Sequence, residues 1–471
     1  MMKQCYFFLM SSVTCLLCGS YLLAQERPVS ENNFREPLSK VVNDIEKRHR
    51  ITIQYDSTTL ADLWVDFAQW RYRETPTQTL THVLASIPLG YRQLDDSTYR
   101  ITRYEYFRKH PEEGKQELAQ LMARYRTLAQ WESRSGDLSA CIRETLGLQR
   151  IYPAPIAAAV KTSKRQYDGY TVENIAIEAL PGLYVAGSLY VPTGRSGKLP
   201  AMLCPNGHFA SGRYRPEHQL RCAMLARMGV IAVSYDLVGY GESLLQLEES
   251  DHRRSLTATV QLINNLRMLD FIHGLPGVDT SRIGITGASG GGSQSILVTA
   301  LDDRIKLSVP VVMVSSYFSG GCPCETGAGH HFCGGGTNNT EIAAMAAPRP
   351  QLLISDGNDW TADFPTLDLP YLEYVYGLYG RKHWVQNVHL PDDQHDYGPA
   401  KRQAMYAFVA AHFSLEVDAL KDPSGHFSEE GCVVEAEAKL YAFGMDRQNS
   451  HPMPCKVSAS CRKRCAEKKK T

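Results

Sequence analysis

Apolar positions in the first hundred residues fall into two similar rounds. Leu38, Val41, Val42 and Ile45 recur at helical spacing, and Ile51, Ile53 and Tyr55 then alternate as in a strand. In the second round 64–72 reads as extended, 76–85 as a helix with Pro76 in its first turn, and 91–101 as a hairpin turning at Asp95, Asp96 and Ser97. This order predicts a small α+β module over 30–105. From 111 to 148 the chain is charged and helix-prone, which predicts a helical connector over 106–150. Beyond it the pattern changes. Two long extended runs, 171–180 and 184–192, precede a third at 199–204. Helices then alternate with short apolar strands: helix 217–228, strand 230–235, helix 258–273, strand 282–286, strands 307–314, 351–355 and 385–390, and a closing helix 399–413. Such alternation predicts an α/β domain over 151–415, a mostly parallel sheet with helices on both faces. Residues 416–471 are polar, contain cysteine and end in lysines, so they are expected to form a stapled or frayed tail.

Composition narrows the partners. The 471 residues exceed one ordinary core at about 100–200 residues per domain. Lysine plus arginine equals aspartate plus glutamate at 50 each, so no global field exists to hold nucleic acid, and that partner is set aside. Met1, Met2 and Lys3 lead into an apolar run, 7–23, that Ser11, Ser12, Thr14, Gly19 and Ser20 interrupt before Ala24 and Gln25. The run is too broken for a spanning helix and reads as a secretory signal over 1–24, which places the mature chain outside the cytoplasm, periplasmic or secreted. A lipid anchor at Cys18 is disfavoured, because Leu17 is larger than such processing prefers. Three of the 13 cysteines lie in the signal, and the even remainder suits an oxidising compartment. Cys432, Cys455, Cys461 and Cys465 crowd the tail, whereas Cys204 and Cys222 sit in apolar surroundings as small core residues.

The chemistry concentrates after the strand 282–286. Gly287-Ala288-Ser289-Gly290-Gly291 is a G-x-S-x-G sequence set between that strand and a helix-compatible run, the context in which a serine sits exposed on a tight turn. Small neighbours are needed there because a side chain would block the substrate carbonyl, and the Gly290 N–H is aimed where an oxyanion forms. A serine hydroxyl needs a base, and after the last strand Asp392-Asp393-Gln394-His395-Asp396 supplies His395. The acid should follow the preceding strand, where Asp359 is preferred and Asp356 is the alternative. A second oxyanion donor is expected near Gly207 in Pro205-Asn206-Gly207-His208. His208, Arg213, Arg215 and Glu325 are candidate substrate contacts, the arginines because their planar fork suits a carboxylate. Cys322 and Cys324, with His330, His331 and Cys333, invite a zinc reading, but the spacing is not that of a structural zinc site. Disulfides or a pocket-shaping loop are expected instead, with no metal and no cofactor.

The segments 287–294, 321–325, 337–350, 359–361 and 395–399 resemble the secreted acetyl xylan esterase-like branch of the α/β-hydrolases, which includes pectin methylesterases of polysaccharide-degrading bacteria. The resemblance covers about 151–413 and implies triad roles for Ser289, His395 and Asp359. It also implies, as substrate, an ester decoration on a plant polysaccharide or oligosaccharide, a uronate methyl or an acetyl ester of pectin or xylan. The module over 30–105 resembles the short secretin and TonB N-terminal domain, which suggests docking to an envelope partner or glycan. Neither this module nor the cysteine-rich tail belongs to the esterase pattern. Two rival readings are a prolyl oligopeptidase-type peptidase and an envelope binding protein with a silent hydrolase fold. No 40 to 50 residue propeller repeat supports the first, and the intact serine, aspartate and histidine set speaks against the second.

Overall fold

The computed structural model describes residues 35–444, apart from 57–59, 62, 67, 85–86, 88, 104–107, 149–158, 163 and 210. The expected signal with Cys5, Cys15 and Cys18, and the tail cysteines Cys455, Cys461 and Cys465, lie outside the described residues. Among those described, no helix is long and apolar enough to cross a membrane. The chain forms two compact units, the first ending at Glu105 and the second beginning at Tyr106.

In the first unit, β1 (Arg35–Pro37) leads into the helix Leu38–His49, whose Leu38, Val41, Val42 and Ile45 are all buried. Strand β2 (Thr52–Gln54) follows, and β3 (Trp64–Asp66) pairs antiparallel with β1. After the helix Pro76–Leu84, β4 (Leu89–Gln93) and β5 (Thr98–Arg103) form the hairpin, and β2 adds to β5 in parallel. Asp95 closes the turn by accepting from the Ser97 and Thr98 N–H groups at 2.9 and 2.8 Å. The expected extended run 64–72 is a strand only to Asp66, because the chain then turns through Ala68–Trp70 to put Ala68 in the core.

The second unit is built on a ten-stranded sheet, with the short edge strands β6 (Val160–Lys161) and β7 (Arg165–Tyr167) pairing on β8 (Tyr170–Leu180). Next come β9 (Leu183–Pro192), β10 (Leu199–Pro205), β11 (Ile231–Tyr235), β12 (Val278–Ala288), β13 (Leu307–Val311), β14 (Gln351–Asp356) and β15 (Val385–Leu390). Strands β10 to β15 are parallel, in the spatial order β15-β14-β13-β12-β10-β11, while β9 and β8 extend the sheet antiparallel beyond β11. The alternation along β10 shows how one strand serves two cores: Ala201 and Leu203 face one apolar layer, Met202 and Cys204 the other. Since β11 lies on one side of β10 and β12 on the other, the order reverses at β10. A crevice opens there at the carboxyl ends of the strands, the usual ligand position in such sheets.

Two segments pack more intimately than their composition suggests. The helices Pro111–Arg124 and Leu128–Thr145, read as a connector, bury Leu118, Leu121, Trp131, Leu138 and Ile142 in one of the two main cores. Arg134 grips the buried Glu341 through two hydrogen bonds of 2.9 Å, and Cys141 is joined to Cys333 by a disulfide. Residues 416–444 of the expected tail form a strap that buries Phe427, Leu440, Ala442 and Phe443. Few apolar residues suffice because charge-assisted bonds hold the strap: Glu435 accepts from Arg165, and the buried Glu242 carboxylate accepts from the Ala442 and Phe443 N–H groups at 2.8 Å.

Candidate active site

Strand β12 ends at Ala288 and a helix begins at Gly290, so Ser289 occupies the corner between them with φ 55° and ψ −125°. This is a sparsely populated conformation for a residue with a side chain, and such strain is held only where the surroundings fix it. Those surroundings are glycines packed without clearance. A Cβ on Gly287 would fall 2.5 Å from the Gly291 carbonyl oxygen, and one on Gly207 would fall 2.6 Å from that of Ala288 and 3.1 Å from the Gly290 nitrogen. The loop after β10 is therefore pressed against the start of the serine's helix. Asn206 fixes the loop, donating to Ser234 Oγ and the Tyr235 carbonyl, while Gln294 donates to the Asn206 carbonyl at 3.0 Å. The Gly290 N–H belongs to the first turn of its helix, where no intrahelical acceptor exists.

The two candidate acids part company. Asp359 Oδ2 lies 2.5 Å from His395 Nδ1, with the aspartate side chain buried and the imidazole part exposed. Asp356 instead pairs with Lys401 at 3.2 Å, both side chains fully buried. Burial pushes the Asp356 carboxyl above its ordinary range, the nearby Asp359 adds to this, and Lys401 opposes it. Lys401 also reaches Asp396 at 3.1 Å and the Gln394 carbonyl at 2.5 Å, so one buried cation fixes the loop that carries His395.

The candidate substrate contacts are placed differently from one another. Arg213 is a correction: it is fully buried, donating to Asp236 at 2.7 Å, Glu242 at 2.6 Å, Ser188 at 2.8 Å and the Leu440 carbonyl at 2.8 Å, so it cannot meet a polymer. Its site lies under the strap, whose packing no local pattern reveals. Arg215 is part exposed, paired with Glu217, with its guanidinium over the Phe209 ring. Glu325 is also buried, accepting from Ser293 Oγ and the Gly321 N–H at 2.7 Å each, and burial raises its carboxyl. It shares a small cleft with Gly290, Gln261 and Gln294. The His208 ring lies against Gly290, close enough that a Cβ there would sit 2.8 Å from its Cε1.

The expected histidine and cysteine grouping rearranges. Cys333 is in the disulfide, His331 bonds Asn339 at 2.9 Å, and His330 is buried apart. Cys322 and Cys324 meet His208 and His252 instead. Sequence reasoning missed His252, which sits in no motif, and Trp360, whose ring lies 4.7 Å from His395 and stacks on Phe318 at 3.9 Å. Its position directly after Asp359 was the available signal.

Comparisons with known proteins bear on the family and the fold. The sequence profile of the acetyl xylan esterase (AXE1) family matches residues 146–320. The solved structure of Methylesterase BT1017 superposes with a TM-score of 0.77 at 40% identity, covering 94% of this chain and 100% of that one. That share exceeds what the second unit alone provides. A glucuronoyl esterase from Solibacter usitatus superposes with a TM-score of 0.43 at 14% identity, over 57% of this chain and 91% of its own. The uncharacterized protein PA2218 of Pseudomonas aeruginosa is 29% identical over 133 residues, 28% of this chain, and the chain spans about a third, 34%, of that curated relative.

Proposed function

The chain belongs to the acetyl xylan esterase family of α/β-hydrolase-fold carboxylic ester hydrolases, and on that premise we propose that it is an exported serine esterase that removes methyl ester decorations from a uronate-containing plant polysaccharide. The observations that carry the reading are a serine on a strained strand-to-helix corner and a histidine backed by a buried aspartate. His395 takes the proton of Ser289, and the alkoxide attacks the ester carbonyl. The N–H groups of Gly290 and Gly207 receive the negative charge on the carbonyl oxygen, and Asp359 steadies the imidazolium. Methanol leaves with the proton returned by His395. Water, activated by the same imidazole, then releases the uronate from the serine.

The methyl ester is favoured because the methylesterase is matched along its whole length at 40% identity. The family profile supports an acetyl ester as the second reading, in which the sugar would leave first and acetate last. Trp360, beside His395, offers an aromatic face for a sugar ring, and Arg215 a partly exposed fork for a neighbouring carboxylate. Export is supported by the N-terminal pattern and by the Cys141–Cys333 disulfide. The test is the product released from methylated pectin and acetylated xylan by the mature protein beside Ser289→Ala, with methanol and acetate assayed together. Methanol that disappears with Ser289→Ala is the expected result. Serine-dependent acetate alone would shift the assignment to a deacetylase, and neither product would defeat the reading.

A further inference from the structure

Beside the oxyanion loop, three segments far apart in the chain bring two imidazoles and two thiols together. His208 comes from the loop after β10, His252 from the turn Glu249–Arg253, and Cys322 and Cys324 from the start of the short helix Pro323–Thr326. Their four ligand atoms lie within 4.8 Å of one another. His208 Nε2 is 3.0 Å from Cys324 Sγ and 3.2 Å from Cys322 Sγ, His252 Nε2 is 3.1 Å from Cys322 Sγ, and the two sulfurs are 2.8 Å apart. The His252 ring is already oriented, since its Nδ1 lies 2.5 Å from the Val238 carbonyl and leaves Nε2 facing the sulfurs. That is the second-shell bond a metal-ligating histidine ordinarily makes. His252 and Cys324 are buried while His208 and Cys322 are partly accessible, which leaves an entry path.

We propose that His208, His252, Cys322 and Cys324 bind one zinc ion, which fastens the oxyanion loop to the opposite wall of the active site. Two thiolates and two imidazoles whose ligand atoms all lie within 4.8 Å of one another are the donor set of a tetrahedral zinc site. At zinc–sulfur distances of about 2.3 Å and zinc–nitrogen distances of about 2.0–2.1 Å tetrahedral donors stand about 3.3–3.8 Å apart, so the two sulfurs separate by about 1 Å and the close sulfur–nitrogen pairs by roughly half an ångström when the ion enters. The ion ties His208, whose ring packs on Gly290, to the turn beginning Pro323, whose Glu325 braces Ser293 on the serine's helix. The site's role in catalysis rests on the esterase reading; the binding of zinc does not. The rival state is a Cys322–Cys324 disulfide.

The decisive experiment measures metal in the mature full-length protein, purified without added zinc, by elemental mass spectrometry. Peptide mapping under non-reducing conditions reports the state of Cys322 and Cys324 in the same sample. About one zinc per chain and two unpaired thiols are expected. Replacement by cobalt(II) should give the thiolate-to-cobalt charge-transfer band and the visible bands of a tetrahedral S2N2 site. Cys324→Ser and His252→Ala should lose the metal, while Cys432→Ser, at a thiol elsewhere, and Ser289→Ala should keep it. In the metal-free protein kcat is expected to fall about tenfold or more with KM little changed, as for a positioning site. A Cys322–Cys324 disulfide, two free thiols without metal, or zinc retained in both ligand variants would each overturn the proposal. Should the ligand variants misfold, the wild-type cobalt spectrum and peptide map decide alone. Because Ser289→Ala is scored for zinc, failure of the esterase reading and failure of the metal site are distinguishable.

Discussion

An imidazole can act as a base for serine only if its other nitrogen is held by an acceptor, and two aspartates three residues apart compete for that task. Asp359 reaches His395 Nδ1, while Asp356 spends its charge on Lys401 beneath the same loop. The two should therefore fail in different ways. Asp359→Asn is expected to lower kcat by about 10⁴ through the wrong imidazole tautomer, with the urea midpoint almost unchanged. Asp356→Asn breaks a buried pair and is expected to cost about 3–5 kcal/mol of stability, with a much smaller loss of kcat at temperatures where it stays folded. Steady-state kinetics and urea unfolding on both variants check this, and the reverse pattern would exchange their roles. The corner at Ser289 and the two aspartates that compete for His395 could be proposed from the sequence because each stands at a fixed offset from an apolar strand, and the structure pairs His395 with Asp359. His252 and Lys401 could not be, because what they touch is set by contacts distant in sequence. Arg213 was misread for the same reason: whether an arginine is free depends on what packs over it, here Leu440, far along the chain.

At the scale of elements, the site exists because β10 lies between β11 and β12, so that the loop after β10 and the corner after β12 open at the same point. Apolar runs and their spacing gave strands β8 to β15 of this sheet within a few residues, since strands buried on both faces must be almost wholly apolar, but not the short β6 and β7 or the helix Leu369–Leu378. The strap over 416–444 escaped that logic, being held by charges rather than by apolar area. Arg213 is its central fastening, joining β9 through Ser188, the turn after β11 through Asp236 and Glu242, and the strap through Leu440. Asp236 is itself pushed up to about 6 by burial, with Arg213 pulling the other way. Arg213→Met leaves two buried carboxylates without their cation, and about 3–5 kcal/mol of destabilisation is expected in urea unfolding. The proposed triad lies on other elements, so turnover measured well below the new midpoint should be largely kept. A loss of turnover without a loss of stability would return Arg213 to the substrate.

At the scale of the molecule, the main apolar cores among the described residues lie around Leu38, Val42, Ile53 and Tyr99 in the first unit and on the two faces of the large sheet in the second. A unit with its own core can fold and act by its own contacts. Every residue assigned to chemistry lies after Tyr106, whereas the match to the methylesterase extends into the first unit, so the module is shared with a relative beyond the span of the family profile. We propose that the module serves a task that the reaction at the serine does not require, holding a polymer or an envelope partner. Deleting residues 25–105 is therefore expected to leave kcat on a small soluble ester within about twofold of wild type, and the catalytic unit's thermal midpoint close to its former value. Release of product from insoluble cell-wall material should fall much further. Equal losses on the soluble ester and on the insoluble polymer would make the module part of the catalytic unit rather than an attachment to it.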